Sequence, residues 1–294
     1  MADSATQPDT INKLRFGADA AFAMLAAMQL DVFTPMKDGP MTAEQVANAV
    51  GVKADRLRLL LWCLVAAGLL TEKDGRFSNT PETNHFLVKG ISSYMGNMHA
   101  NYSSAWAWKL KTAESIRASA PQAKIDFSNS PPAELEAFLR RINASTVAAT
   151  RSLLARQDFS SITTLADVGC GGAGLALTMA KACPHLQITA IDLPQIAPIA
   201  QKIVNEEGAA DRVKVLAADV LSGPLPGSYD AAILRALLQV LSPQDARVAV
   251  KNIAAAINPG GTVYIVGQIL DDSRNSPLEA VWFNLNFINV FDAG

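Results

Sequence analysis

Residues Leu165-Ala166-Asp167-Val168-Gly169-Cys170-Gly171-Gly172-Ala173-Gly174-Leu175 constrain this 294-residue chain more than any other stretch. They read as a short apolar strand that runs into a glycine-dense turn and then into a helix. Glycine reaches backbone conformations closed to other residues and lets a ligand come close to the chain. A helix that begins straight after the turn aims unpaired amides and a positive dipole end at whatever sits there. A glycine run alone is weak evidence, because any tight strand-to-helix turn can use one. The acid that follows sharpens it. In Ile191-Asp192-Leu193-Pro194 the carboxylate of Asp192 closes the next apolar run, 21 residues after Gly171. That distance suits an acceptor for ribose hydroxyls.

From Ile162 onward apolar runs alternate with helical patterns. Strands are expected at Thr164–Val168, Gln187–Ile191, Val213–Ala217, Ala231–Leu234 and Thr262–Val266, with helices over 172–182, 195–206 and 243–257. Strands alternating with helices imply an α/β fold with a doubly wound parallel sheet, whose ligands bind outside the carboxyl ends of the strands. Asp167, Asp192 and Asp219 all fall at such ends. Three acids at three strand ends are hard to explain by structure alone.

Two nucleotide-binding plans share this layout. The dinucleotide fingerprint is G-x-G-x-x-G, whereas here an acid leads, as Asp167-x-Gly169-x-Gly171. This order resembles the first motif of S-adenosylmethionine-dependent methyltransferases, D/E-x-G-x-G-x-G. Their cofactor carries no phosphate, and the leading acid lies near its amino-acid part. The third glycine of that motif falls on Ala173, small enough for close helix packing. The resemblance favours a methyltransferase over a nicotinamide enzyme.

The N-terminal part has a different character. A helix is expected around Leu14–Leu30, with a broad apolar surface of Phe16, Ala20, Ala21, Met24, Leu25 and Met28. Thr42 can cap a second helix, whose apolar positions Ala43, Val46, Ala47 and Val50 repeat with helical spacing and which Gly51 ends. A third helix begins at Asp55, carries Leu57, Leu60, Leu61, Leu64 and Val65, and ends at Gly68; Leu69-Leu70, the Asp74-Gly75 turn and Phe77 suggest a hairpin. Helix, turn, helix and hairpin make a winged-helix module. A DNA-reading helix needs polar and basic residues that reach base edges. Beyond Arg56 and Arg58 this one reads Leu59-Leu60-Leu61-Trp62-Cys63-Leu64-Val65, a surface for a core or a protein interface.

A formal net charge of -2 argues against nucleic acid or an anionic membrane as the main partner. Cys63, Cys170 and Cys183 show neither paired nor metal-ligand spacing, and no metal is expected. Met1–Thr10 lacks the layout of a secretion signal, and no apolar run approaches the ~20 residues of a membrane helix, so a cytoplasmic protein is expected. Between Thr83 and Phe159 the chain is helical in character, interrupted near Pro121 and Pro131-Pro132. His99, Tyr102, Trp106 and Trp108 cluster there. Aromatics at such spacing are more often core than ligand contacts, but their density beside one of only three histidines points towards a pocket wall.

Taken together, the chain resembles the winged-helix dimeric O-methyltransferases, which include plant phenolic enzymes and bacterial natural-product enzymes. The resemblance runs from the helical start through Ala218-Asp219-Val220 and Asn258-Pro259-Gly260-Gly261. It implies a homodimerisation domain over 1–100, a helical connector over 101–160 that lines the acceptor pocket, and an S-adenosylmethionine-binding domain over 161–294. By motif position, Asp167, Gly169 and Gly171 line the cofactor's amino-acid part, Asp192 with Leu193 holds the ribose, and Asp219 with Val220 flanks the adenine. Arg235 matches a basic position near the cofactor. His99, Trp106, Asn143 and Asn286 are the acceptor-side candidates.

The family's catalytic segment has the form Leu-His-Asp-Trp-Ser-Asp-x-x-Ala, with the histidine as general base. Here Leu238-Gln239-Val240-Leu241-Ser242-Pro243-Gln244-Asp245-Ala246 puts Gln239 in its place. An amide donates and accepts hydrogen bonds but takes no proton near neutrality. Gln239 is therefore expected to position the acceptor. The acid that orients the histidine corresponds to Asp272, with Asp271 as its neighbouring alternative. Relatives continue with two further strands, so the natural chain is expected to extend beyond Gly294. The leading expectation is methyl transfer from S-adenosylmethionine to a small, aromatic acceptor, at oxygen before carbon, nitrogen or sulfur. A cofactor-binding relative that does not transfer methyl, and a winged-helix regulator, are the competing readings.

Overall fold

A computed structural model describes residues 6–91, 93–124 and 129–292. Residues 1–5 of the polar start, and Ala293 and Gly294 at the end, lie outside the described residues. The chain divides into two compact units, 1–107 and 108–294.

The first unit opens with α1 (Asp9–Leu30). It begins five residues before the expected Leu14, with the acidic side chain of Asp9 favourable in its first turn. Only Ala23, Ala27 and Met28 of this long helix are buried; Ile11, Leu14, Phe16 and Phe22 are more than half exposed. Next come β1 (Met41–Thr42) and α2 (Ala43–Val50), whose start carries a full capping box. Thr42 Oγ1 accepts from the Gln45 amide at 3.3 Å, and Gln45 Oε1 accepts from the Thr42 amide at 2.8 Å. Gly51 ends it in the left-handed conformation. Helix α3 (Ala54–Ala66) buries Leu57, Leu61 and Leu64 and leaves Leu59 and Trp62 exposed. The hairpin β2 (Leu70–Lys73) and β3 (Arg76–Asn79) turns at Asp74-Gly75, and β1 adds to β3 as a third antiparallel strand. This is the winged-helix arrangement. After α4 (Pro81–Phe86), α5 (His99–Lys109) carries the aromatic cluster across the division between the units.

The second unit comprises α6 (Thr112–Ala118), α7 (Pro132–Leu154), β4 (Thr164–Val168), α8 (Gly174–Ala182), β5 (Gln187–Asp192), α9 (Ala197–Glu206), β6 (Val213–Ala217), β7 (Tyr229–Arg235), α10 (Pro243–Ala254), β8 (Ile257–Val266) and α11 (Leu278–Val290). The five strands form one parallel sheet in the order β6-β5-β4-β7-β8. Its central strands are covered on both faces, and their near-continuous apolar sequence reflects that. On one face Leu165, Ile188 and Ile233 pack with α8 and α9; on the other Ala166, Ile191 and Leu234 pack with Ala249 and Ile253 of α10. Strand β8 starts at Ile257 rather than Thr262. Its register against β7 shifts between Tyr229 and Ala231, so Asn258-Pro259-Gly260-Gly261 is absorbed as an irregularity inside the strand. Gly261 has no alternative there, since a Cβ would lie 2.6 Å from the Asp230 carbonyl oxygen.

Candidate cofactor and acceptor site

The carboxyl ends of β4, β5 and β7 bring Asp167, Asp192 and Arg235 to the glycine turn. Gly169 and Gly171 take φ of +74° and +53°, and Ala173 is also left-handed at +55°. Protein packs closely on the turn as well. A Cβ at Gly169 would meet Leu237 at 3.1 Å, one at Gly171 would meet Leu139 at 3.4 Å, and at Gly172 and Gly174 it would meet Asn143 at 2.8 Å. The glycines thus serve conformation at two positions and close packing at four.

Asp167 is buried at the end of β4, and its Oδ2 accepts the Ala176 amide in the first turn of α8 at 3.1 Å. The protein's own carboxylate therefore fills the electropositive start of this helix, where a dinucleotide would seat its pyrophosphate. Burial, reinforced by the nearby charge of Asp192, lifts its pKa to about 7 against the pull of the Ala176 amide and of Arg235. The Ala176 amide at the start of α8 is thus already engaged by the protein.

Asp192 ends β5. Its Oδ2 accepts the Gly171 amide at 2.7 Å and its Oδ1 the Leu193 amide at 2.8 Å, which ties the second strand end to the turn of the first. Burial raises its pKa, opposed by those two amides. Each oxygen keeps a further lone pair for a hydroxyl donor. Asp219 is half-buried beyond β6, where Oδ1 accepts the Leu221 amide at 2.9 Å and Oδ2 the Ser222 hydroxyl at 3.1 Å. Val220 is buried, and its carbonyl accepts from Asn252 of α10 at 2.7 Å. Arg235, the last residue of β7, donates to Ser145 Oγ of α7 at 3.0 Å. Burial lowers its pKa, and the charge of Asp167 works the other way.

Gln239 sits in a short 3₁₀ turn (Leu238–Val240) beyond β7. Its Oε1 accepts the Gln268 amide at 3.0 Å, so the side chain bridges the carboxyl ends of β7 and β8. It lines a pocket of about 300 Å³ with Leu234, Leu237, Leu238, Ile265 and Gln268. Its Nε2 has no protein partner among the described residues, which leaves two N–H groups to offer. Ala236, next to this pocket, holds a left-handed φ of +58°, a conformation that costs a non-glycine residue energy and recurs at functional sites.

The other candidates are more scattered. Asp272 is exposed in the loop after β8 and bonds neither Gln239 nor any other described residue. Asp271 accepts from Ser273 at 2.6 Å and from Ser276, and those hydroxyls hold its pKa down. Asn286 of α11 has a buried Oδ1 without a hydrogen-bond donor among the described residues. Asn143 of α7 donates through Nδ2 to the Gly172 carbonyl at 2.9 Å. His99 and Trp106 belong to the first unit, where Trp106 stacks on Tyr102 at 5.9 Å and meets Phe22 edge-on at 5.4 Å. Ser145, Leu139 and Leu237 were not sequence candidates. Their contacts join segments far apart in the chain, and nothing local marks them.

Comparison with known proteins places the chain in a family. Residues 123–293 match the O-methyltransferase domain, and residues 13–89 match the O-methyltransferase dimerisation domain. The chain is 28% identical to a 3-hydroxy-5-methyl-1-naphthoate 3-O-methyltransferase of Streptomyces sahachiroi, over 96% of this chain and 83% of that protein. It is 30% identical to the N,N-dimethyltransferase OxyT of Streptomyces rimosus, over 90% of this chain and 79% of that one. Among solved structures it superposes with a TM-score of 0.79 on human N-acetylserotonin methyltransferase in complex with S-adenosylmethionine, at 22% identity, covering 100% of this chain and 89% of that one. The chain belongs to the S-adenosylmethionine-dependent O-methyltransferase family.

Proposed function

We propose that the protein methylates a small, largely apolar aromatic acceptor at oxygen, and that Gln239 positions the acceptor where relatives use a histidine base. The observation that carries this reading is the Gln239 side chain. One end is fixed by the Gln268 amide, the other is free, and it stands in a mainly apolar pocket at the sheet's carboxyl edge. The relatives named above act on a naphthoate oxygen and on an amine, so nitrogen is the second acceptor atom to test.

The residues present fit the family's cofactor. The Asp192 carboxylate suits a vicinal diol, the turn allows close approach, and the phosphate seat is filled by Asp167. By motif position Gly169, Gly171 and Asp167 would border its amino-acid part, Asp192 and Leu193 the ribose, and Asp219 and Val220 the adenine, with Arg235 nearby. When bound, the cofactor supplies an electrophilic methyl group on a sulfonium sulfur. The chain's own contribution is alignment and exclusion of water, which are worth several kcal/mol when reacting atoms are held near 3 Å. Gln239 Nε2 can donate to the acceptor's oxygen, and the unpaired Oδ1 of Asn286 offers a place for a donor on the acceptor. A phenol ionises near pH 10, so without an imidazole the rate should climb with pH through the acceptor's own ionisation. Asp272 remains the candidate acid outside the pocket wall, and His99 and Trp106 the aromatic candidates for the acceptor side.

The test is methyl transfer to a panel of naphthols, phenols and aromatic amines, read by mass. Gln239→Ala should lower turnover about 3- to 10-fold, the effect of one positioning hydrogen bond. Gln239→His should raise turnover of phenols near neutral pH. Loss of a protonic step with the Asp272→Asn variant, with no effect of Gln239→Ala, would refute the positioning role.

A further inference from the structure

The glycine turn is clasped from one side by a single helix, α7, and the clasp uses polar contacts at the two places that matter for the cofactor. Asn143 Nδ2 donates to the Gly172 carbonyl at 2.9 Å, and its Oδ1 stands 2.8 Å from where a Cβ would sit at both Gly172 and Gly174. One turn earlier on the helix, Leu139 is buried against Gly171. Two residues later, Ser145 accepts from Arg235 at 3.0 Å. On the turn's opposite side the Gly171 amide binds Asp192 Oδ2 at 2.7 Å. The 170–171 peptide is therefore held by Asp192 and the 172–173 peptide by Asn143, with only the 171–172 peptide between them. Gly171 and Gly172 resist rotation little, so this short stretch depends on both holds to keep one conformation.

We propose that Asn143 is a positioning residue for cofactor binding: by holding the Gly172 carbonyl it fixes the glycine turn and, through the Gly171 amide, the aim of the Asp192 carboxylate. This rests on the assignment of the turn and Asp192 to the cofactor, and it gives Asn143 a role on the cofactor side. Asn143 commits one N–H to the turn. Its oxygen faces backbone rather than open space. The carbonyl it holds belongs to the buried Gly172.

The experiment needs no acceptor. Binding of S-adenosylhomocysteine to the full chain is measured by calorimetry for wild type, Asn143→Asp, Asn143→Ser and Asn143→Ala, with thermal unfolding recorded in parallel. Asn143→Asp keeps the shape but has no donor for the carbonyl, so affinity should fall about 3- to 10-fold while Asn143→Ser recovers part of it. Gly172→Ala should weaken binding in the wild-type background, where the new methyl meets Asn143, and much less together with Asn143→Ala. This non-additivity is what a direct contact requires and a general loss of stability would not give. Should Asn143→Ala fail to fold, the Asn143→Asp and Asn143→Ser pair decides. Unchanged affinity in Asn143→Asp overturns the proposal, as does strict additivity with Gly172→Ala. Absence of binding by the wild type would instead sink the cofactor assignment on which it rests.

Discussion

At the scale of single residues, Asp167 gives the sharpest expectation. Its folded-state pKa, about 7, lies above the ordinary aspartate value of 3.8 because burial disfavours the charge. A raised carboxyl pKa means the folded state binds a proton that the unfolded state has lost. Its contribution to stability is complete below about pH 4 and is lost as pH rises through 7, with a slope of at most about 1.4 kcal/mol per pH unit. Asp167→Asn keeps an oxygen for the Ala176 amide and cannot ionise. Urea unfolding at pH 5.5 and 8 should show wild type losing stability across that interval more than the variant. Equal losses in the two proteins would show that the carboxyl is not the titrating group.

At the scale of elements, the sequence carried most of the catalytic unit and little of what pins it together. Thr164–Val168 and Val213–Ala217 form strands over the very spans their apolar runs predict. Strand β4 is central and buried from Leu165 to Val168, whereas β6 is an edge strand whose Val213, Val215 and Leu216 still mark it despite the exposed Lys214. Strand β8 was half missed, since Pro-Gly-Gly reads as a turn and only the register shift against β7 keeps it in the sheet. Strand β1 was missed altogether, as two residues have no period. The acids at strand ends were legible from spacing; the grip of Asn143 on a carbonyl 29 residues away was not, because packing across the fold leaves no local pattern. Another such contact joins α11 to α6. Asn289 is fully buried, accepts from Ser115 at 2.9 Å, and donates to Thr112 Oγ1 at 2.9 Å and to the Leu285 carbonyl at 2.6 Å. Asn289→Ala removes all three bonds from a buried site and should cost about 3 kcal/mol in chemical denaturation. A loss under about 0.5 kcal/mol would mean the pair of helices is held by its apolar contacts alone.

At the scale of the whole molecule, the first unit exposes more apolar surface than a solitary domain tolerates. Ile11, Leu14, Phe16 and Phe22 on α1, with Leu59 and Trp62 on α3, are all 47% exposed or more. The match of this segment to a dimerisation domain gives that surface a partner, a second copy of the chain. Light scattering should report a homodimer at micromolar concentration, and Leu14→Glu with Phe16→Glu should shift it to monomer. A wild-type monomer would contradict this. Among the described residues no helix is long and apolar enough to cross a membrane, and no cluster of ligands could hold a metal ion.

The carboxylate of Asp167 at the head of α8 has a meaning beyond stability. A fold that presents a glycine turn, a helix start and an acid at the next strand end suits many adenosine-bearing molecules, and most of these carry phosphate. Here the protein places its own carboxyl group at the helix start. ATP, ADP and the nicotinamide dinucleotides should therefore bind more weakly than S-adenosylhomocysteine, and more weakly still as pH rises through 7, which competition calorimetry would show. On this expectation, selection among nucleotides would rest on a side chain of the protein itself rather than on a contact to the adenosine they all share.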